Sequence, residues 1–273
     1  MDPAPWRLIV DPPQSAAVNM AADEAIALAF SEGKSPQTVR FYQWNVPSFS
    51  IGTFQKLDAH WLAALEEQGI PFVRRITGGR GILHDQELTY AVVAATTNPR
   101  FSGGVKGAFL AIAQGILTGL RCLGLEDLEI SKTRLTRENQ KKPLCYDSTS
   151  QHEITAKSRK LAGSAQRRWQ SHFLQHGSLI LKHSMVDFYT DKFPEASLIS
   201  KNQVALSDLL PALPPLSTLI EHLTKGFEAT LNIALHLGEY SGYEQVLIQR
   251  LICEKYGTRG WNQNRKTAGD GSN

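Results

Sequence analysis

At 273 residues, with 42% hydrophobic and 20% charged side chains, the chain has the composition of a soluble globular protein with a sizeable core, and wholesale disorder is excluded. A formal net charge of +3 suits an acidic protein partner as well as nucleic acid, no long Lys/Arg block favours nucleic acid, and the charge alone decides nothing. No stretch approaches the ~20 apolar residues needed to span a bilayer, and residues 1–6 lack a secretory pattern, so a cytoplasmic location without a membrane partner is expected.

Residues 6–11 read as a short strand ended by Pro12 and Pro13. The Ala-rich window from Asn19 onward predicts a helix over about 15–32, with Asp23 and Glu24 as acids in its first turns that complement the helix dipole. Strands follow at 39–44 and 48–51, an amphipathic helix at 61–68 and a strand at 72–75. After a Gly-rich segment at 76–84, the β-branched and apolar run 87–95 fits a buried strand, and helical spacing of Phe109, Ile112, Ile116, Leu117 and Leu120 predicts a helix over 105–123. The polar, basic stretch 131–142 reads as a solvated loop that leads to Cys145. Strands at 152–156 and 160–164 form a hairpin, and another strand follows at 175–181. Beyond the Pro-rich turn 211–215, helices are expected at 216–236 and 240–256, and the tail from Trp261 has the composition of a disordered terminus. The organisation is therefore one α/β domain over 1–260, with 216–256 as a helical extension and 261–273 as a tail.

Three segments can carry chemistry. In Arg74-Arg75-Ile76-Thr77-Gly78-Gly79-Arg80, paired glycines let backbone amides approach a ligand while arginines neutralise an anion; the same pattern also serves as a tight turn with solvated arginines. It matches neither the GxxxxGK[ST] nor the GxGxxG phosphate pattern. Cys145 has Lys141, Lys142, His152 and Lys160 nearby in sequence as cations or bases able to lower a thiol pKa, but a lone cysteine is also commonly a small buried hydrophobe. That bland reading is given to Cys122 and Cys253, and three cysteines without ligand spacing indicate neither a disulfide framework nor a metal site. Lys160 lies on a strand followed by the small residues Gly163, Ser164 and Ala165, so it borders a cleft or is a solvated hairpin lysine. His176, next to Gly177, is a candidate base or a histidine satisfied by backbone hydrogen bonds.

Taken in order, RRITGGRGILHDQELTYAV, KLAGSAQRR and LQHGSLIL resemble the Arg-Arg-x-Thr-Gly-Gly-Arg loop, the lysine strand and the His-Gly strand of the biotin/lipoate protein ligase catalytic family, over roughly residues 6–260. The resemblance implies a mixed α/β (α+β) fold with a larger and a smaller β-sheet flanked by helices. Within the family, CYDSTSQHEI is similar to the Cys-Phe-x-x-x-Ser-x-x-Glu segment of the LipM-type octanoyltransferases, which hold octanoate on that cysteine as a thioester. Tyr146 stands where the pattern has Phe, and Gln151 and His152 where it has an aromatic pair, changes that bear on the acyl pocket or the partner surface.

The resemblance implies an octanoyl transfer from acyl carrier protein to a lysine of a lipoyl domain or glycine-cleavage H protein, by a monomeric enzyme without a cofactor. Cys145 would be the acyl-carrying nucleophile and Lys160 the donor to the acyl carbonyl. Arg75, Thr77, Gly78, Gly79, His84, Gly163, Ser164, Ala165, His176 and Gly177 would line the substrate site. Two alternatives stand beside this: a lipoate ligase that uses ATP and Mg, with Cys145 merely structural, and a non-catalytic acyl- or carrier-binding module on the same fold.

Overall fold

The computed structural model describes residues 3–131, 153–184 and 202–267. Cys145, Tyr146, Gln151, His152 and the expected basic loop from residue 132 onward lie outside them.

The first strand, β1 (Ala4–Val10), is followed by α1 (Ala16–Ser31), whose start is capped by the Ser15 hydroxyl accepting from the Val18 amide. Then come β2 (Thr38–Tyr42), β3 (Ser48–Ile51), α2 (Ala59–Glu67), β4 (Phe72–Arg74), β5 (Ile82–His84), β6 (Glu87–Ala95), α3 (Gly104–Arg121) and β7 (Leu128–Ile130). The second half contributes β8 (Ile154–Ala156), β9 (Arg159–Arg168), β10 (His172–Ile180), α4 (Leu216–Leu231), β11 (Ile233–Leu237), α5 (Gly242–Leu251) and α6 (Arg259–Asn264). The strands form one eight-stranded mixed sheet in the order β11-β1-β2-β6-β10-β9-β8-β7 and one three-stranded sheet, β4-β3-β5, as the family resemblance implies.

Both faces of the large sheet are covered, which is why β6 is buried along its length and runs apolar from Tyr90 to Ala95 rather than alternating. Leu88, Tyr90, Val92 and Ala94 join the core beneath α3 and α4, while Ala91 and Val93 point to α1 and α5 on the opposite face. The small sheet has its own core, in which Phe49 stacks on Trp61 of α2 and Ile180 reaches in from the large sheet.

Several expectations are corrected. Residues 233–237 are strand, not the end of a helix: Asn232 turns left-handed (φ 48°) and β11 pairs in parallel with β1, so the proposed helical extension supplies an edge of the main sheet. The tail is ordered at its start, because Trp261 and Asn262 are buried on α6. Cys122 and Cys253 are exposed thiols, the first at the C-terminal cap of α3 and the second in the helical turn Ile252–Tyr256 that continues α5, rather than on the buried stripes. Asp23 and Glu24 lie in the middle of α1, where side-chain partners and not the helix dipole account for them. The lysine strand also runs on to Arg168, paired with β10 along its length.

Candidate acyl-transfer site

Between the large sheet and the small one lies a small pocket of about 60 Å³, open to solvent at its mouth. Its floor is the adjacent stretches Gly163–Ser164–Ala165 of β9 and His176–Gly177–Ser178 of β10, where His176 pairs with Ala165 and Ser178 with Gly163. One wall is Met20, Tyr42 and Trp44, from α1 and the end of β2; the other is Ser50, Arg75, Gly79, Ile82 and His84, from the small sheet and its loop. Most of the lining is apolar or small, which suits a hydrocarbon tail.

Two buried polar networks hold these walls in place. In the first, Asp23 of α1 takes hydrogen bonds from Arg40 Nη1 (2.7 Å), the Tyr42 hydroxyl (3.0 Å) and His176 Nδ1 (2.8 Å). Burial works against the Asp23 charge, but Arg40 and His176 outweigh it and hold the carboxyl below its ordinary value. Burial also lowers the pKa of His176, so a neutral ring donates through Nδ1 and its Nε2 accepts from the Thr77 hydroxyl at 2.7 Å. Both nitrogens are therefore engaged by side chains, and His176 is not the backbone-satisfied histidine.

In the second network Glu87 Oε1 accepts from Thr89 and Ser178, both at 2.7 Å, and pairs with His84 Nδ1 at 2.7 Å. His84 Nε2 meets the Ser50 hydroxyl at 2.6 Å, and the His84 ring is stacked on Trp44 with centroids 3.9 Å apart. Trp44 is fixed in turn by its indole N–H on Thr89 at 2.8 Å.

The Gly78–Gly79 loop is shaped by arginines rather than presenting them to solvent. Arg75 is buried and donates to the carbonyls of Ser50, Gly78 and Arg80. Gly79 has φ +93°, and a Cβ there would come within 2.8 Å of Arg75 Nη2. Arg74 is clamped from the C-terminal side: its guanidinium donates to the carbonyls of Trp261, Asn262 and Gln263 and also to those of Gly52 and Thr53, while the Trp261 indole donates to the Arg74 carbonyl at 2.8 Å.

Lys160 is fully buried and its Nζ donates to Glu153 at 2.6 Å across the β8–β9 hairpin. It does not line the pocket directly; it lies behind Gly163, where an added Cβ would be 2.6 Å from Nζ. The absent side chain at Gly163 is what leaves the ammonium next to the pocket floor. The solvated-lysine alternative is thus removed.

Of the residues expected to line the site, Arg75, Gly79, His84, Gly163, Ser164, Ala165, His176 and Gly177 do so. Thr77 is buried behind the lining as the partner of His176, and Gly78 acts through its carbonyl. Cys145 lies outside the described residues. The sequence reading missed Met20, Tyr42, Trp44 and Ser178, and the charges Asp23, Arg40 and Glu87 behind them. A signal was present for Asp23 and Arg40, since each interrupts an otherwise buried apolar run.

A family model described as the lipoyl protein ligase A/B catalytic domain matches residues 15–228. The chain belongs to this family. Among curated relatives, Octanoyltransferase LipM of Anoxybacillus flavithermus is 39% identical over 97% of this chain and 100% of its own length. Octanoyltransferase LipM of Geobacillus kaustophilus is 39% identical over 95% and 98%. A crystal structure of a lipoate-protein ligase A bound with ATP superposes with a TM-score of 0.79 at 24% identity, over 97% of this chain and 100% of that one, a likeness of fold. Family and relatives together make this lipoyl-ligase-family chain an acyltransferase.

Proposed function

We propose that this acyltransferase moves octanoyl from octanoyl-acyl carrier protein to a lysine of a lipoyl domain or glycine-cleavage H protein, in protein lipoylation and without ATP. Near-full-length similarity to octanoyltransferases is the observation that carries this reading. The narrow, mostly apolar pocket beside a buried lysine is in keeping with it.

In the proposed mechanism the Cys145 thiolate attacks the carbonyl carbon of the donor thioester. The carrier thiolate leaves and takes up a proton, and octanoyl is held as a thioester on Cys145. The neutral amine of the acceptor lysine then attacks the same carbon, an amide forms, and the Cys145 thiolate is released with loss of the amine's extra proton. Thioester exchange is nearly balanced and amide formation is downhill, so no nucleotide is consumed. Lys160, oriented by Glu153, would donate to the acyl oxygen as negative charge develops; one such donor contributes about 3–4 kcal/mol. Asp23, through His176, and Arg75 keep the Gly78–Gly79 wall in register with the floor.

The test is acyl transfer from octanoyl-acyl carrier protein to apo H protein with nucleotide absent. Product without ATP is expected; product only from free lipoate or octanoate with ATP would replace the transferase by a ligase.

A further inference from the structure

The loop that walls the pocket is flanked by cations that have no carboxylate partners among the described residues. On one side Arg167, two residues beyond the floor residue Ala165 on β9, leans over Trp169 with its guanidinium 4.8 Å from the ring and directs Nη1 toward the Ile76 carbonyl. On the other, the turn that begins at Gly52 is tied to the loop by the Thr53 amide on the Thr77 carbonyl, and it carries Phe54 with 76% of its surface exposed. Arg265 is exposed and lies over that ring at 4.8 Å. Neither Arg167 nor Arg265 makes an ion pair among the described residues.

The surplus of positive charge is felt by neighbouring groups. Burial, and then Arg265, push the Arg74 guanidinium toward neutrality; burial, and then Arg167, do the same to His172; and Arg167 acts against the charge of Lys255 although Glu24 pairs with that lysine. A chain that spends stability on like charges at the edge of its pocket gains if an anion arrives there.

We propose that Arg167, Arg265 and Phe54 form the docking rim for the donor, an acidic carrier protein that presents its acyl group on an arm joined through a phosphodiester. This rests on the octanoyltransferase reading and names where its first substrate binds. Guanidinium forks match phosphate and carboxylate oxygens, and the exposed aromatic ring supplies apolar contact beside Arg265. An acceptor that offers a lysine side chain brings no phosphodiester for these guanidinium forks to hold.

The deciding experiment measures binding of octanoyl-carrier protein and, separately, of the apo acceptor domain to wild type, to the Arg167→Glu/Arg265→Glu double variant and to Phe54→Ser. The double variant is expected to weaken carrier binding by about tenfold or more and to flatten its salt dependence, with acceptor affinity unchanged and the melting temperature not lowered. Phe54→Ser should weaken carrier binding without changing its salt dependence. Unchanged carrier affinity in a folded double variant would overturn the proposal, as would weakening confined to the acceptor or equal for both proteins. Absence of octanoyl transfer by wild type would instead remove the underlying reading, an outcome read from the activity assay and not from the variants.

Discussion

His176 joins Asp23 to the glycine loop, with Nδ1 2.8 Å from the Asp23 carboxylate and Nε2 2.7 Å from the Thr77 hydroxyl. A helix, a central strand of the large sheet and the loop of the small sheet are thereby linked through one neutral ring. Burial holds the His176 pKa below its ordinary 6.5, while Arg40 and His176 hold Asp23 below 3.8 against the opposing effect of burial. The unfolded chain thus takes up protons near 6.5, and again near 3.8, that the folded chain still refuses. Stability is full above pH 6.5 and declines as pH falls below it, more steeply below 3.8. Thermal melts between pH 7 and 5 should show this decline in wild type and a smaller one in His176→Asn, with the remainder due to His172, which burial also lowers. A wild-type melting temperature that rises on acidification would contradict the assignment.

Gly163→Ala tests the placement of Lys160. The new Cβ would fall 2.5 Å from Lys160 Cε and 2.6 Å from Nζ, so the ammonium must move. A displacement of about 1 Å at such a position costs on the order of 100-fold in rate. Steady-state transfer assays should show that loss in kcat, with KM for the carrier little changed. A fully active Gly163→Ala enzyme would mean that Lys160 has no positional role.

Lys160→Met removes the donor while keeping much of the volume. The expected effect is a fall in kcat of roughly 100- to 1,000-fold, the size seen for loss of a single oxyanion donor. Glu153 is left buried without this ammonium, so the melting temperature should drop as well. Adding Glu153→Gln should restore part of the stability but none of the rate, as read from melts and single-turnover kinetics on the same preparations.

Trp261→Ala should destabilise the chain by about 3–5 kcal/mol, the usual range for a large buried aromatic, and should also loosen the loop that follows Arg74. Hydrogen exchange across residues 75–80 would detect the second effect. Protection equal to wild type there would show that the C-terminal clamp on Arg74 stabilises the fold without reaching the pocket.

The sequence disclosed the elements whose residues repeat a local pattern. α1 is Ala-rich and capped, and β6 runs apolar from Tyr90 onward because it is buried on both faces. β11 was hidden because five residues after a single left-handed Asn carry too little periodicity to be told from the helix they follow. Trp261 was hidden because its anchor, Arg74, is far away in sequence, and a tail ending in Gly, Asp, Ser and Asn looks soluble by composition. The site divides in the same way. The glycine loop, the lysine strand and the His-Gly strand are contiguous motifs and were legible, whereas the Asp23–Arg40–His176 network joins three elements up to 153 residues apart and becomes visible only once they are packed. Trp44 and Met20 belong to the pocket because α1 and β2 flank the floor, a fact of sheet order that no local pattern encodes.

The central claim, acyl transfer through a covalent enzyme intermediate, is tested most directly by intact-protein mass spectrometry after brief incubation with octanoyl-acyl carrier protein and no acceptor. One octanoyl group is expected on wild type, lost on addition of apo H protein and never formed on Cys145→Ala. No adduct on wild type, or an adduct that persists on Cys145→Ala, would contradict the account.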